Sequence, residues 1–316
     1  MRHIKHFPGS AALIAIAAIA LSLFAKDNTG ENYRWDEAVK FVDSLPFPPK
    51  YVDSLKSALN VTFPSSPLRI EPDRSFFTSE TLVYDIGWGP FKAGYVVLTA
   101  AADSAAGTIK LGGKGLSNGF VTTFYRMRDY VISTIDAKGL YPLFFEQHLR
   151  EGKRYSRDGW ILFDHGKNTL YVKERKVKTI KSIPFVNDFL SVLFLFRQRK
   201  FGPGDTISLP LYADGKVHSI AIICKGREPI TVGGVKQPAL VVEPKLVGDK
   251  GAFNKKDRLD LWLSDDNLKV PLQIKSKISI GAITARLLYC SRPGFLPSMP
   301  PKMPDTSKQF KDAAPH

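Results

Sequence analysis

From residue 76 to residue 292 hydrophobic and polar positions alternate in short runs, and the period is that of β-strands. Leu82, Tyr84, Ile86 and Trp88 fall on one face of the first clear run. Gly89-Pro90 breaks it, and a second run from Tyr95 to Ala100 is apolar on both faces, which predicts an antiparallel hairpin. Thr108 to Leu111 continues the sheet and ends at Gly112-Gly113. Further strands are predicted around 130–135, 143–150, 160–163, 169–173 and 176–182. Beyond the middle of the chain, runs follow at 207–211, 218–224, 230–232, 239–243, 259–263, 270–279 and 283–290. Asp214-Gly215 between two of them is a strong hairpin turn. Strand centres roughly 8–12 residues apart with turns between them mark an all-β domain.

One segment departs from this period. Residues 188–197 read Asp-Phe-Leu-Ser-Val-Leu-Phe-Leu-Phe-Arg and are apolar nearly all round. A helix of that kind has to be buried. Asn187 is the expected N-cap, and Gly202-Pro203-Gly204 ends the segment. The fold expected is mainly β: one large curved antiparallel sheet, an open or partial barrel, with this helix packed in its concave side.

The ends of the chain are different in kind. Residues 1–25 combine Arg2 and Lys5 with a short apolar run ending at Ala25, which predicts an export signal, cut or retained as an anchor. The run falls short of the ~20 residues of a comfortable membrane span. Residues 26–75 form a leader: helical spacing of Trp35, Val39 and Val42, then of Tyr51, Leu55 and Leu59, gives two short helices joined by Pro46-Phe47-Pro48-Pro49, followed by a proline-rich connector. Residues 293–316 are proline-rich with little apolar pattern, and a disordered tail is expected.

The 316 residues carry a formal charge of +15, and 44% are hydrophobic. That suits one large domain, and it favours anionic surfaces. Arg126, Arg128, Arg150, Lys153, Arg154 and Arg157 cluster with Tyr125, Tyr130 and Tyr155 between them. Export argues against nucleic acid, and the neighbouring Asp129, Glu146, Glu151 and Asp158 predict internal ion pairs. Two cysteines, Cys224 and Cys290, form either a disulfide or two separate buried thiols.

The sequence predicts no catalytic arrangement. His148, His165 and His218 are the histidines of the domain, and His165 is placed at a solvated turn tip. His218 and Cys224 share a strand face but lie six residues apart, about 20 Å at strand rise, so they form no dyad. Asp265-Asp266-Asn267 lacks the spacing of a calcium loop, and Gly112-Gly113-Lys114-Gly115 lacks the Lys-Ser/Thr pair and the following helix of a phosphate loop. No metal or cofactor is expected.

The order of several short pieces resembles a known bacterial family, the domain of unknown function numbered 3108. The pieces are Tyr84, Trp88-Gly89, Ala93-Gly94, Arg128-Asp129, Glu151-Gly152-Lys153, Asp188 with Leu190-Ser191 and Arg197, Trp262 to Asp266, Pro271 and Gly281. The resemblance implies an exported envelope protein and assigns no functional residue. A weaker resemblance, through the strand-rich chain, the apolar helix and the late Trp262, Pro271 and Gly281, is to the Lol-type lipoprotein carriers of the periplasm. The function expected is therefore non-enzymatic: binding or carrying an apolar or lipidic ligand in the periplasm. The alternative is a structural or assembly module of the envelope with a filled core. The residues expected to line a cleft are Leu82, Tyr84, Ile86, Trp88, Leu190, Leu193 and Phe194. The partners expected are that ligand and an anionic membrane surface.

Overall fold

The structure, a computed structural model, describes residues 47–71, 79–89, 91–123, 126–152, 155–173, 176–247, 258–278 and 281–292. The export signal expected over 1–25, the first expected leader helix and the tail expected over 293–316 fall outside the described residues.

Fourteen strands form a single sheet. They are β1 (Ser79–Trp88), β2 (Phe91–Asp103), β3 (Thr108–Ser117), β4 (Arg128–Asp136), β5 (Pro142–Glu151), β6 (Tyr155–Asp164), β7 (Thr169–Lys173) and β8 (Val177–Lys181), then β9 (Thr206–Ala213), β10 (Lys216–Val232), β11 (Val235–Val247), β12 (Arg258–Ser264), β13 (Pro271–Ile278) and β14 (Gly281–Cys290). The spatial order runs from β8 back to β1, then from β14 back to β9. Every neighbouring pair is antiparallel, and all but one are joined directly in sequence. The exception is β1 with β14, where Leu82 opposes Cys290 and Ile86 opposes Ala285. This long-range pairing makes one sheet of two meanders and sets the predicted first hairpin in its middle.

The sheet is not closed into a barrel: β8 and β9 are its two edges. Residues 182–187 lead from one edge to the other. Asn187 forms a parallel bridge with Leu211 of β9, its N–H donating to Pro210 O at 3.0 Å and its carbonyl accepting from Tyr212 N at 2.8 Å. This contact satisfies part of the open β9 edge. Helix α3 (Phe189–Arg197) follows and packs against β9 on one side and β3 and β4 on the other, so the sheet wraps round it. Every residue from Leu190 to Arg197 is buried, as its apolar composition requires.

The two faces of β5 and β6 bury different partners. Phe145, Ile161 and Phe163 turn inward to the main core. Phe144, Trp160 and Leu162 turn outward, where helix α1 (Pro49–Ala58) covers them with Tyr51, Val52 and Leu55. Trp160 Nε1 donates to Tyr51 Oη at 3.1 Å, and Phe47 N donates to Glu146 Oε2 at 2.9 Å. The leader thus packs on the outside of the sheet. A short helix, α2 (Gly119–Thr122), links β3 towards β4.

Four expectations need correction. The N-cap of α3 is Asp188, whose Oδ1 accepts from Leu190 N at 2.8 Å and Ser191 N at 2.9 Å, while Ser191 Oγ accepts from Asp188 N. Asn187 is occupied with β9, which periodicity along the chain does not show. Strand β3 does not end at Gly112-Gly113 but runs through them to Ser117. A Cβ on Gly113 would lie 2.9 Å from Val131 Cγ2 and 3.7 Å from Leu190 Cδ2, so the bare backbone admits β4 and the helix. The runs 218–224 and 230–232 are one strand, β10, with a register shift between Cys224 and Gly226; Gly233-Gly234, both at positive φ, then turn it into β11. Finally, His165 is not solvated: Nε2 lies 2.6 Å from Pro142 O, and the ring sits among Tyr141, Phe163 and Phe185.

Candidate functional site

An apolar crevice lies between α3 and the inward faces of β10 to β13. The helix contributes Phe189, Val192, Leu193 and Phe196, residues of one face by their spacing. The opposite wall alternates along its strands: Ile220 and Ile222, Val242 and Pro244, Leu259 and Leu261, with Ile274. None of these lining residues is polar. The enclosed free space is about 30 Å³, and with the open space at its mouth the crevice measures about 460 Å³. The enclosed part has room for a water but offers it no hydrogen-bond partner, so it is dry. It is far below the roughly 150 Å³ of an engineered apolar cavity that accepts benzene. An apolar chain therefore enters only by using the mouth and widening the space between helix and wall.

Both ends of the helix are pinned. At its start Ser133 Oγ of β4 donates to Asp188 Oδ2 at 2.6 Å. Burial pushes the Asp188 carboxyl up, against the hydrogen bonds from Ser133, Ser191 and Leu190 that favour its charged form. At its end Arg197, 1% exposed, makes a two-pronged pair with Glu80 of β1, 2% exposed, at 2.8 and 2.9 Å. A third bond runs from Arg197 Nη2 to Leu268 O at 3.2 Å, and the guanidinium lies 5.3 Å from the Phe194 ring centre. Burial disfavours the Arg197 charge, but Glu80 outweighs it and the net shift is upward. The mobile element of any opening is thus the wall or the middle of α3, not its ends.

Of the seven residues expected to line a cleft, only Leu193 lines this one. Leu190 points at Gly113 of β3, and Phe194 lies under Arg197. Leu82, Tyr84 and Ile86 are buried in the main core on β1, and Trp88 packs against that core half-buried. The Tyr84 hydroxyl is buried and donates to Pro271 O at 2.8 Å, and burial holds its pKa well above the usual phenol range. The residues missed are the β10–β13 wall and Phe189, Val192 and Phe196 on the helix. Alternation at Ile220 and Ile222 marked an inward face, but only the wrapping of the sheet brings that face against α3.

The other candidate chemistry is engaged in structure. His148 is fully buried, with Nδ1 2.8 Å from Asp158 Oδ1 and Nε2 3.6 Å from Glu146 Oε2. Arg150 pairs with Asp158 through both prongs at 3.0 and 3.1 Å, so the basic cluster is at least partly neutralised internally, as its neighbouring acids predict. Burial and the adjacent Arg126 push Arg128 down to about 10. His218 Nε2 lies 3.1 Å from Ala213 O. Cys224 and Cys290 are both buried free thiols; burial raises both, Cys290 to about 11. No group of three or more metal-binding side chains occurs among the described residues. Among the same residues no helix is long and apolar enough to cross a membrane.

The fold is that of a wrapped, unclosed antiparallel sheet with a helix along its interior. The chain belongs to the family described as "Protein of unknown function (DUF3108)", whose pattern matches residues 83–288. Among solved structures, a β-barrel-like protein of domain of unknown function DUF1849 from Brucella abortus is similar, with 10% identity and a TM-score of 0.48 over 68% of this chain and 97% of that one. No curated protein matches the chain.

Proposed function

We propose that the chain is an exported, non-enzymatic envelope protein that binds a single apolar chain in the crevice beside α3. The observation that carries this reading is the wholly apolar lining of a crevice that reaches the surface. Burying about 200 Å² of ligand there contributes about 5 kcal/mol before the entropy lost on binding, which gives weak, reversible retention. Residues 1–25 support export. The structural engagement of His148, His165 and His218, and the upward-shifted thiols, support a non-enzymatic role. A second reading, a structural module with a filled core, is favoured by the small enclosed volume.

Titration with a fluorescent long-chain fatty acid separates the two. The wild type is expected to bind saturably, and Val242→Phe, which fills the crevice, to lose binding while melting as a folded protein. Absence of saturable binding by the wild type leaves the structural module.

A further inference from the structure

The edge strand β8 is paired on one side only, with β7. Its residues Val177, Lys178, Thr179 and Lys181 are exposed, as is Lys176 just before it. Val177 is 46% exposed, and Ile183, which follows the strand, is 48% exposed. Among the described residues no carboxylate is paired with Lys176, Lys178 or Lys181. In sequence, Glu174 and Arg175 precede these residues and cancel in charge. The lysines span roughly 17 Å along the strand, with Lys176 and Lys178 on one face and Lys181 on the other beside Val177. Behind the crevice wall some cations are paired: Lys225 lies 2.9 Å from Glu243 and also contacts Asp260, and Arg258 lies 2.7 Å from Asp260.

Lysines on an edge deter pairing with another chain's strand. That role has no use for exposed Val177 and Ile183, which would favour such pairing. Aliphatic side chains interleaved with long cationic ones fit an interface that is apolar a few ångströms below an anionic surface. We propose that the β8 edge, from Lys176 to Ile183, is the surface through which this protein docks on anionic lipid headgroups. The lysines contact the headgroups, and Val177 and Ile183 enter the layer beneath them. This surface is separate from the crevice and does not rest on its ligand.

Flotation of the full chain with vesicles tests it, using phosphatidylglycerol mixed into phosphatidylcholine and phosphatidylcholine alone. Residues 1–25 are common to all variants, so differences report the edge. The wild type is expected to float with the anionic vesicles and to be released as salt rises. A lysine near such a surface contributes about fivefold, so Lys176→Gln, Lys178→Gln and Lys181→Gln together are expected to weaken binding about a hundredfold at low salt. Lys110→Gln, Lys216→Gln and Lys236→Gln together, at exposed positions elsewhere on the sheet, remove the same charge and are expected to weaken it only a few-fold. Val177→Ser with Ile183→Ser is expected to leave salt-sensitive binding but remove the part that survives high salt. Equal losses in the two lysine triples would show that net charge alone drives binding and would overturn the assignment. So would retention on a sulfated polysaccharide through the same lysines without binding to vesicles.

Discussion

Replacing Arg197 with Met tests how the helix is held inside the sheet. The substitution removes two charge-assisted bonds to Glu80 at 2.8 and 2.9 Å and one to Leu268 O at 3.2 Å. Glu80 keeps Arg292, whose Nε lies 3.6 Å from its Oε1, beyond hydrogen-bond reach. A buried carboxylate losing its partner costs about 3–5 kcal/mol. For a domain of this size that lowers the melting temperature by about 6–20 °C. Glu80→Met alone strands the guanidinium and costs a similar amount. The double variant Glu80→Met with Arg197→Met removes both charges and fills most of their volume. It leaves Leu268 O without its partner, at about 1–2 kcal/mol, and is expected to lie within about 2 kcal/mol of the wild type. The coupling measured by urea unfolding of the four proteins should then be at least about 4 kcal/mol. Coupling below about 0.5 kcal/mol, the level of independent sites, would refute the view that this pair acts as one buried unit.

Two histidines should titrate in opposite directions. Burial disfavours the His148 imidazolium, but Asp158 and Glu146 outweigh it and raise its pKa, so its contribution is full below the unfolded value of about 6.5 and is lost as pH rises through the folded value. Burial lowers His165, against the raising effect of Pro142 O, so stability there is lost as pH falls through the unfolded value. Ring-proton NMR titration should place the two on either side of the ordinary histidine range, and a shared pKa would contradict both environments. Gly94→Ala should cost more than 2 kcal/mol, because its Cβ would lie 2.1 Å from the Leu116 carbonyl oxygen of the neighbouring strand. Gly113→Ala should cost about 1–3 kcal/mol and be relieved in part by Val131→Ala, whose methyl it meets; thermal melts of the three proteins check this.

Much of the fold was legible along the chain, because an antiparallel meander places most sequence neighbours side by side. Alternation at Leu82, Tyr84 and Ile86 marked an inward face, and those residues are buried. The all-round apolar stretch after Asp188 marked a helix that only an interior could accept. The candidate site was less legible. Leu193 was found from helical composition, yet the wall facing it lies on β10 to β13, at least 27 residues later. Tyr84 was expected to line a cleft and lies in the main core, because alternation gives a face, not a depth. His165 does lie in a turn, but it looked solvated because its partners, Pro142 O and Phe185, come from other segments.

The sequence by itself determined the period of each segment, the turns that reverse them and the one helix that had to be buried. These are local properties: side-chain direction, backbone conformation at glycine, and the stripe or circumference that must leave water. The tertiary structure decided the rest. Pairing of β1 with β14 joined two meanders into one sheet, and its curvature brought β9 and β3 to opposite sides of α3. It set Glu80 against Arg197 across 117 residues. It also left β8 as an edge with unpaired lysines, and β9 as an edge bridged by Asn187. Such contacts depend on which distant faces meet, and no periodicity within a segment records the face it will meet.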